Sequence, residues 1–148
     1  MNTLLHFFFN FLVVEAVWHN AHEYVWWIAV FSMCIDLDHL PYLWSIRGRV
    51  RSFGLGAKSR SRFHELFGLA LFSLVIAVHS FFGNVELLKV VALSFVLHLA
   101  MDFVIGHTRP FFPFSDRVVF LNVVPVRYRM LFECVATLVF GVWYGSAW

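Results

Sequence analysis

Residues 87–101 read LLKVVALSFVLHLAM, with Lys89 and His98 as the only ionisable side chains. Similar apolar runs occupy residues 66–82 and 131–148. Each run is close to the roughly 20 residues that a helix needs to cross the hydrocarbon core of a bilayer. Hydrophobic residues make up 61% of the 148-residue chain and charged residues only 14%, against about 25% charged in a typical soluble domain. The sequence therefore predicts a membrane protein.

Two shorter apolar segments, residues 3–17 and 24–35, precede these runs. They either span the membrane while tilted or form a re-entrant hairpin, because both are short for a full span. We predict an all-α integral membrane protein, a single domain over residues 1–148 with a bundle of about five transmembrane or partly re-entrant helices. The predicted helices cover about residues 3–19, 22–36, 63–82, 85–106 and 129–147.

The basic residues predict the orientation in the membrane. Ten of the eleven lie in or beside two predicted loops, residues 45–62 and 107–128. Loops rich in lysine and arginine stay on the cytoplasmic side of a membrane. We therefore expect a multi-pass protein of the cell (inner) membrane, with a cytoplasmic N-terminus and an external C-terminus.

Histidines and carboxylates recur where the predicted helices meet the cytoplasmic face. They are His6, Asp36, Asp38, His39, His64, Glu65, His98 and Asp102. His98 and Asp102 are four residues apart and share one helix face. Ionisable groups inside a bilayer are costly and usually mark a function. Since imidazole and carboxylate together suit zinc, manganese or iron, the sequence predicts a divalent metal site, most readily for zinc, with ligands among His6, Asp36, His39, His64, His98 and Asp102.

Simpler explanations exist for the separate motifs. The run from Asp36 to His39 is also typical of a solvated helix end before Pro41, and His6 alone is typical of an interfacial residue. It is the combination of several segments that favours a site. Four other ionisable residues are predicted to face the outside and are left out of the site: His19, His22, Glu23 and His79.

The order of these motifs resembles the YdjM-like family of membrane-bound metal-dependent hydrolases. The resemblance rests on His6, DLDH at 36–39, FHELF at 63–67 and HLAMD at 98–102, followed by PFFPFS at 110–115. It implies metal-binding or catalytic roles for His6, Asp36, Asp38, His39, His64, His98 and Asp102. In the family's third motif this chain has Ser59 and Ser61 in place of a histidine and a glycine, and Cys34 stands near a family proline.

We therefore expect a hydrolase of a phosphoester or lipid-like substrate at the cytoplasmic face, with Asp38 or Glu65 as the general base or as a group that orients a ligand. Arg109 could hold a substrate phosphate. The alternative is a non-catalytic metal site with a structural, sensing or transfer role. The expected partners are the lipid bilayer and the substrate; nucleic acid is not expected, and the sequence leaves the oligomeric state open.

Overall fold

The computed structural model of the protein describes residues 3–45, 65–80, 83–119, 121 and 123–146. Most of the predicted basic loop 45–62 lies outside these residues. Within them, the six α-helices are α1 (Thr3–Trp18), α2 (Val25–Met33), α3 (Leu40–Ser45), α4 (Leu66–His79), α5 (Val85–Ile105) and α6 (Val126–Ser146). Two 3-10 helices, Ala21–Tyr24 and Cys34–His39, lie before and after α2.

The described part of the chain is helical apart from loops and one antiparallel bridge between Thr108 and Val119. The predicted all-α class is confirmed to this extent. In the region of the predicted helix 22–36, the structure has α2 with a 3-10 helix on either side. The apolar run at 24–35 carries no signal for these changes of pitch.

Helix α5 has clear local reasons for its limits. The Asn84 side chain accepts hydrogen bonds from the backbone N–H groups of Glu86 and Leu87, which satisfies donors that have no partner inside the helix. Glu86 also places a negative charge near the positive end of the helix dipole. Gly106 follows the last turn and donates its N–H to the carbonyl of Asp102.

Helix α1 lies at the centre of the packing. It contacts α2, α5 and α6, while α2 also packs on α5, and α4 packs on α5. The buried core forms where α1, α2 and α5 meet, and its fully enclosed members include Val14, Ile28 and Val90. These three segments are therefore held together by apolar contacts, independently of the polar residues that they carry.

By length and composition, α5 is the one helix among the described residues that could cross a membrane. Helices α1 and α4 are apolar but shorter, with 16 and 14 residues. Helix α6 has 21 residues, but Arg127, Arg129 and Glu133 lie in its N-terminal part. The structure thus contains one candidate span and two short apolar helices.

Candidate metal centre

Three separate segments bring four ionisable side chains to one place. His6 comes from α1, Asp36 from the second 3-10 helix, and His98 and Asp102 from the last third of α5. One ligand atom from each residue lies within 4.8 Å of the others. We call this group the four-residue cluster; its members were all predicted as metal ligands.

Three of the distances within the cluster are close to the edges of a metal coordination sphere. His6 Nε2 is 3.5 Å from one carboxylate oxygen of Asp102, and His98 Nε2 is 3.7 Å from the other. His98 Nε2 is also 3.6 Å from Asp36 Oδ1. These separations exceed those of charge-assisted hydrogen bonds. They are close to the roughly 3.3 to 3.5 Å that separates neighbouring ligand atoms around tetrahedral zinc.

The burial and hydrogen bonding of His6 fit a metal ligand. Its side chain is fully buried, and neither ring nitrogen forms a hydrogen bond with any residue that the structure describes. The His6 ring stacks on His98, with 3.9 Å between ring centroids. Buried polar nitrogens are normally satisfied, and a cation bound at Nε2 would satisfy one of them.

His98 is held in the tautomer that places its lone pair on Nε2. Its Nδ1 lies 2.9 Å from the backbone carbonyl oxygen of Ser32. A carbonyl oxygen only accepts hydrogen bonds, so Nδ1 must carry the proton. In the neutral ring the lone pair is then on Nε2, which faces Asp36 and Asp102. Metal-binding histidines commonly donate their other N–H to such an acceptor.

Asp36 forms the most accessible wall of the cluster. Thr3 Oγ1 donates to Asp36 Oδ2 at 3.0 Å, while Oδ1 faces His98. His39 Nε2 is 3.8 Å from the same Oδ1, because side chains at i and i+3 eclipse on a 3-10 helix. The side chains of Asp36 and His39 are 13% and 16% exposed, whereas His6, His98 and Asp102 are at most 1% exposed. The Asp36 side is therefore the most accessible side of an otherwise buried cluster.

The donor set fits a divalent ion. Two carboxylates buried within a few ångströms repel each other unless a positive charge lies between them. Two imidazoles and two carboxylates supply the nitrogen and oxygen ligands that zinc, manganese and iron accept. A buried histidine–aspartate ion-pair network is the alternative without metal, but it leaves the ring nitrogens of His6 without hydrogen bonds.

The remaining predicted site residues lie at different places. His64 and the side chain of Asp38 fall outside the described part of the structure. Glu65 is buried, and its Oε1 accepts the backbone N–H of Arg109 at 2.9 Å. The Arg109 guanidinium is itself paired with Asp116 at 3.0 Å. Glu65 thus ties the start of α4 to the loop after α5.

Glu65 also shares a cleft with the cluster. A cleft of about 470 Å³ lies between α4, α5 and the loop that follows α5, and both Glu65 and Asp102 line it. Its other walls are mainly apolar and include Leu69, Leu99 and Phe103. Asp102 therefore belongs both to the four-residue cluster and to the lining of this mainly apolar cleft.

The histidines that were left out of the site do not join the cluster. His19 and His22 are exposed between α1 and α2, together with Glu23. His79 is exposed in the last turn of α4.

Two supporting residues escaped the sequence analysis. Thr3 lies in a mainly apolar stretch, and nothing in its sequence context points to Asp36. Ser32 acts through its backbone carbonyl, a group that every residue has. Only tertiary packing identifies either contact.

Comparisons with known proteins add no relative: no family model, no curated protein and no solved structure matches this chain.

Proposed function

We propose that this protein is a membrane-embedded, metal-dependent hydrolase that acts on a phosphoester or lipid-like substrate at the cytoplasmic face. The observation that carries the proposal is the four-residue cluster, in which His6, Asp36, His98 and Asp102 converge from three helical segments. The resemblance to the YdjM-like hydrolases, in the order of the motifs, supports the reaction class.

Exposed apolar side chains support the membrane placement. Leu74 and Val78 on α4 are 61% and 57% exposed, and Leu138 and Val142 on α6 are 69% and 73% exposed. Large apolar surfaces of this kind are rare on soluble monomers, and lipid chains would cover them. Together with α5, these helices suit a multi-pass bundle whose basic loops face the cytoplasm.

A divalent ion bound in the cluster would supply Lewis-acid activation of water and of a phosphoryl oxygen. His6, His98 and Asp102 are the enclosed ligands, and Asp36 is the ligand on the accessible side. His39 is placed beside Asp36 to orient it or to accept a proton from an incoming water. Asp38 and Glu65 remain our candidates for the general base and for a group that positions the reaction.

The cleft beside Asp102 supports a lipid-like substrate. An alkyl chain lying against Leu69, Leu99 and Phe103 would bury apolar surface, and the polar end of the same molecule would lie near Asp102 and Glu65. A soluble phosphoester would gain nothing from these apolar walls. We therefore expect long-chain phosphoesters to be better substrates than short ones.

A non-catalytic metal site is the second candidate, and one observation favours it. Three of the four ligands are almost fully buried, and structural zinc sites are typically closed by four protein ligands. A structural, sensing or transfer role would need no coordination position for water. The two candidates differ in whether the metal-loaded protein turns over a substrate.

Phosphate release from dodecyl phosphate by the protein in lipid nanodiscs, with zinc or manganese supplied, tests the proposal. We expect metal-dependent release that is lost in Asp102→Asn, a variant that keeps the shape of the side chain but removes its charge. The control is Glu23→Gln, which likewise replaces a carboxylate by an amide, at an exposed residue outside the site.

Metal-dependent release by the wild type and by Glu23→Gln, but not by Asp102→Asn, would support the hydrolase. Stoichiometric metal binding without turnover of either dodecyl phosphate or p-nitrophenyl phosphate would contradict it in favour of the non-catalytic site.

A further inference from the structure

A second polar layer lies one helical turn away from the four-residue cluster. Asn10 follows His6 by four residues on α1, Ser94 precedes His98 by four on α5, and Ser32 precedes Asp36 by four. All three side chains are fully buried. Helices α1 and α5 therefore supply both ligands and members of this layer, and the third member, Ser32, lies on α2 just before the 3-10 helix that carries Asp36. We call these three residues the Asn10 layer.

The hydrogen bonds of the Asn10 layer join the three segments. Asn10 Nδ2 donates to Ser32 Oγ at 2.7 Å and to the backbone carbonyl of Ser94 at 2.8 Å. The carbonyl can only accept, so the amide orientation is fixed with its nitrogen toward Ser94. Asn10 uses both of its N–H groups to connect α1 with α2 and α5.

Ser32 connects the Asn10 layer to the four-residue cluster by hydrogen bonds. The hydroxyl of Ser32 accepts from Asn10, and the backbone carbonyl of the same residue accepts the Nδ1–H of His98. Asn10 thereby holds the residue whose carbonyl sets the His98 tautomer. The layer is buried among apolar side chains, where hydrogen bonds are electrostatically stronger than in water.

We infer that Asn10 is a positioning residue, which acts through Ser32 to keep His98 in the Nδ1–H tautomer with Nε2 available to a metal ion. The inference rests on the proposed metal site but concerns a state of the protein that exists without metal. Groups that orient metal ligands typically change metal affinity by about 10- to 100-fold.

Ser32→Ala and Ser94→Ala provide a matched pair of variants. Both remove one fully buried hydroxyl from the Asn10 layer. The Ser32 hydroxyl accepts from Asn10, whereas the Ser94 hydroxyl forms no hydrogen bond with any residue that the structure describes. Each variant keeps its backbone carbonyl. Only Ser32→Ala removes the hydrogen bond by which Asn10 positions Ser32, the residue whose carbonyl accepts from His98.

Asn10→Leu removes both connections at once, and Val14→Ala controls for lost stability. Val14 is fully buried on α1 one turn beyond Asn10, in the apolar core. Its truncation destabilises the fold through a cavity and removes none of the layer's hydrogen bonds. An effect specific to Asn10 should therefore be absent in Val14→Ala.

The test is the tautomer of His98 in the metal-free protein, read from the ¹⁵N shifts of histidine-labelled samples at a pH where imidazoles are neutral. His98→Gln identifies the signals. We expect wild type, Ser94→Ala and Val14→Ala to show the Nδ1–H tautomer, and Ser32→Ala and Asn10→Leu to show a mixture. Zinc affinity should fall about tenfold in Ser32→Ala and stay within twofold in Ser94→Ala.

An unchanged His98 tautomer in Ser32→Ala, or equal losses of zinc affinity in both serine variants, would overturn the inference. If Asn10→Leu does not fold, the serine pair decides the question by itself. Absence of zinc binding in the wild type would instead overturn the proposed function, and the metal-free tautomer would still be tested by the same spectra.

Discussion

The two ends of helix α1 carry similar residues with different surroundings. At one end His6 is fully buried and meets Asp36, His98 and Asp102. At the other end His19 and His22 lie exposed in a turn beside Glu23. The two ends of α1 hardly differ in residue types, so histidines and carboxylates alone do not create a metal site. Convergence of several segments and exclusion of water make it.

The turn at the second end has a local explanation. His19 adopts a left-handed backbone conformation, with φ at 56°, directly after the last residue of α1, as residues that terminate helices often do. Glu15 accepts the backbone N–H of Ala21 and so fixes the following 3-10 helix. Here the polar groups end a helix, whereas at the His6 end they face one another.

Asp102→Asn should cause the largest loss of zinc affinity among the changes considered. The variant removes the carboxylate that lies near both His6 and His98. We expect zinc affinity to fall more than the roughly 100-fold seen for groups that only orient a ligand. Isothermal titration calorimetry of the purified protein measures it. A loss below tenfold would mean that Asp102 is not a ligand.

Lowering the pH should have the second-largest effect, a loss of zinc from the cluster. Protons compete with the metal for imidazole and carboxylate ligands, so metal binding releases protons and weakens as the pH falls. We expect zinc occupancy to decrease steadily from pH 8 to pH 5, measured by equilibrium dialysis. The double variant His19→Gln, His22→Gln should follow the same curve, because the exposed end contributes no ligand. A pH-independent occupancy would contradict imidazole ligation.

His39→Ala should have an intermediate effect. His39 contacts Asp36 at 3.8 Å on the accessible side of the cluster and is not one of its four converging residues. We expect a loss of zinc affinity of about tenfold, in the range typical of an orienting group. A loss as large as that of Asp102→Asn, in parallel titrations, would instead make His39 a fifth ligand.

His79→Ala should have the smallest effect. The side chain is exposed in the last turn of α4, and surface substitutions typically change stability by no more than about 0.5 kcal/mol. We expect zinc affinity and the melting temperature to match the wild type. A clear loss of zinc would show that the site lies at the other end of the helices.

The sequence allowed part of this site to be predicted. The spacing of His98 and Asp102 places them on one helix face, whatever the rest of the fold does. Asp36 and His39 were also candidates, but their contact depends on a 3-10 helix in a segment that was predicted as an ordinary helix end. The sequence contains no glycine or proline before Pro41 that would indicate this change of pitch.

Other features required tertiary structure. The stacking of His6 on His98 joins residues 92 positions apart in sequence, and it depends on how α1 packs against α5. The Ser32 carbonyl has no sequence signature at all. In contrast, Asn10 did carry a signal, because it follows His6 by one helical turn within an apolar helix. A buried asparagine at that spacing could have been recognised as a partner of the site.

Elemental analysis of the purified protein in chelator-free buffer tests the central claim most directly. Wild type is compared with the double variant His98→Ala, Asp102→Ala, and with the matched control His22→Ala, Glu23→Ala from the exposed end. We expect about one divalent ion per chain in the wild type and the control, and a near-complete loss in the folded cluster variant. Equal metal in all three proteins, or none in the wild type, would contradict it.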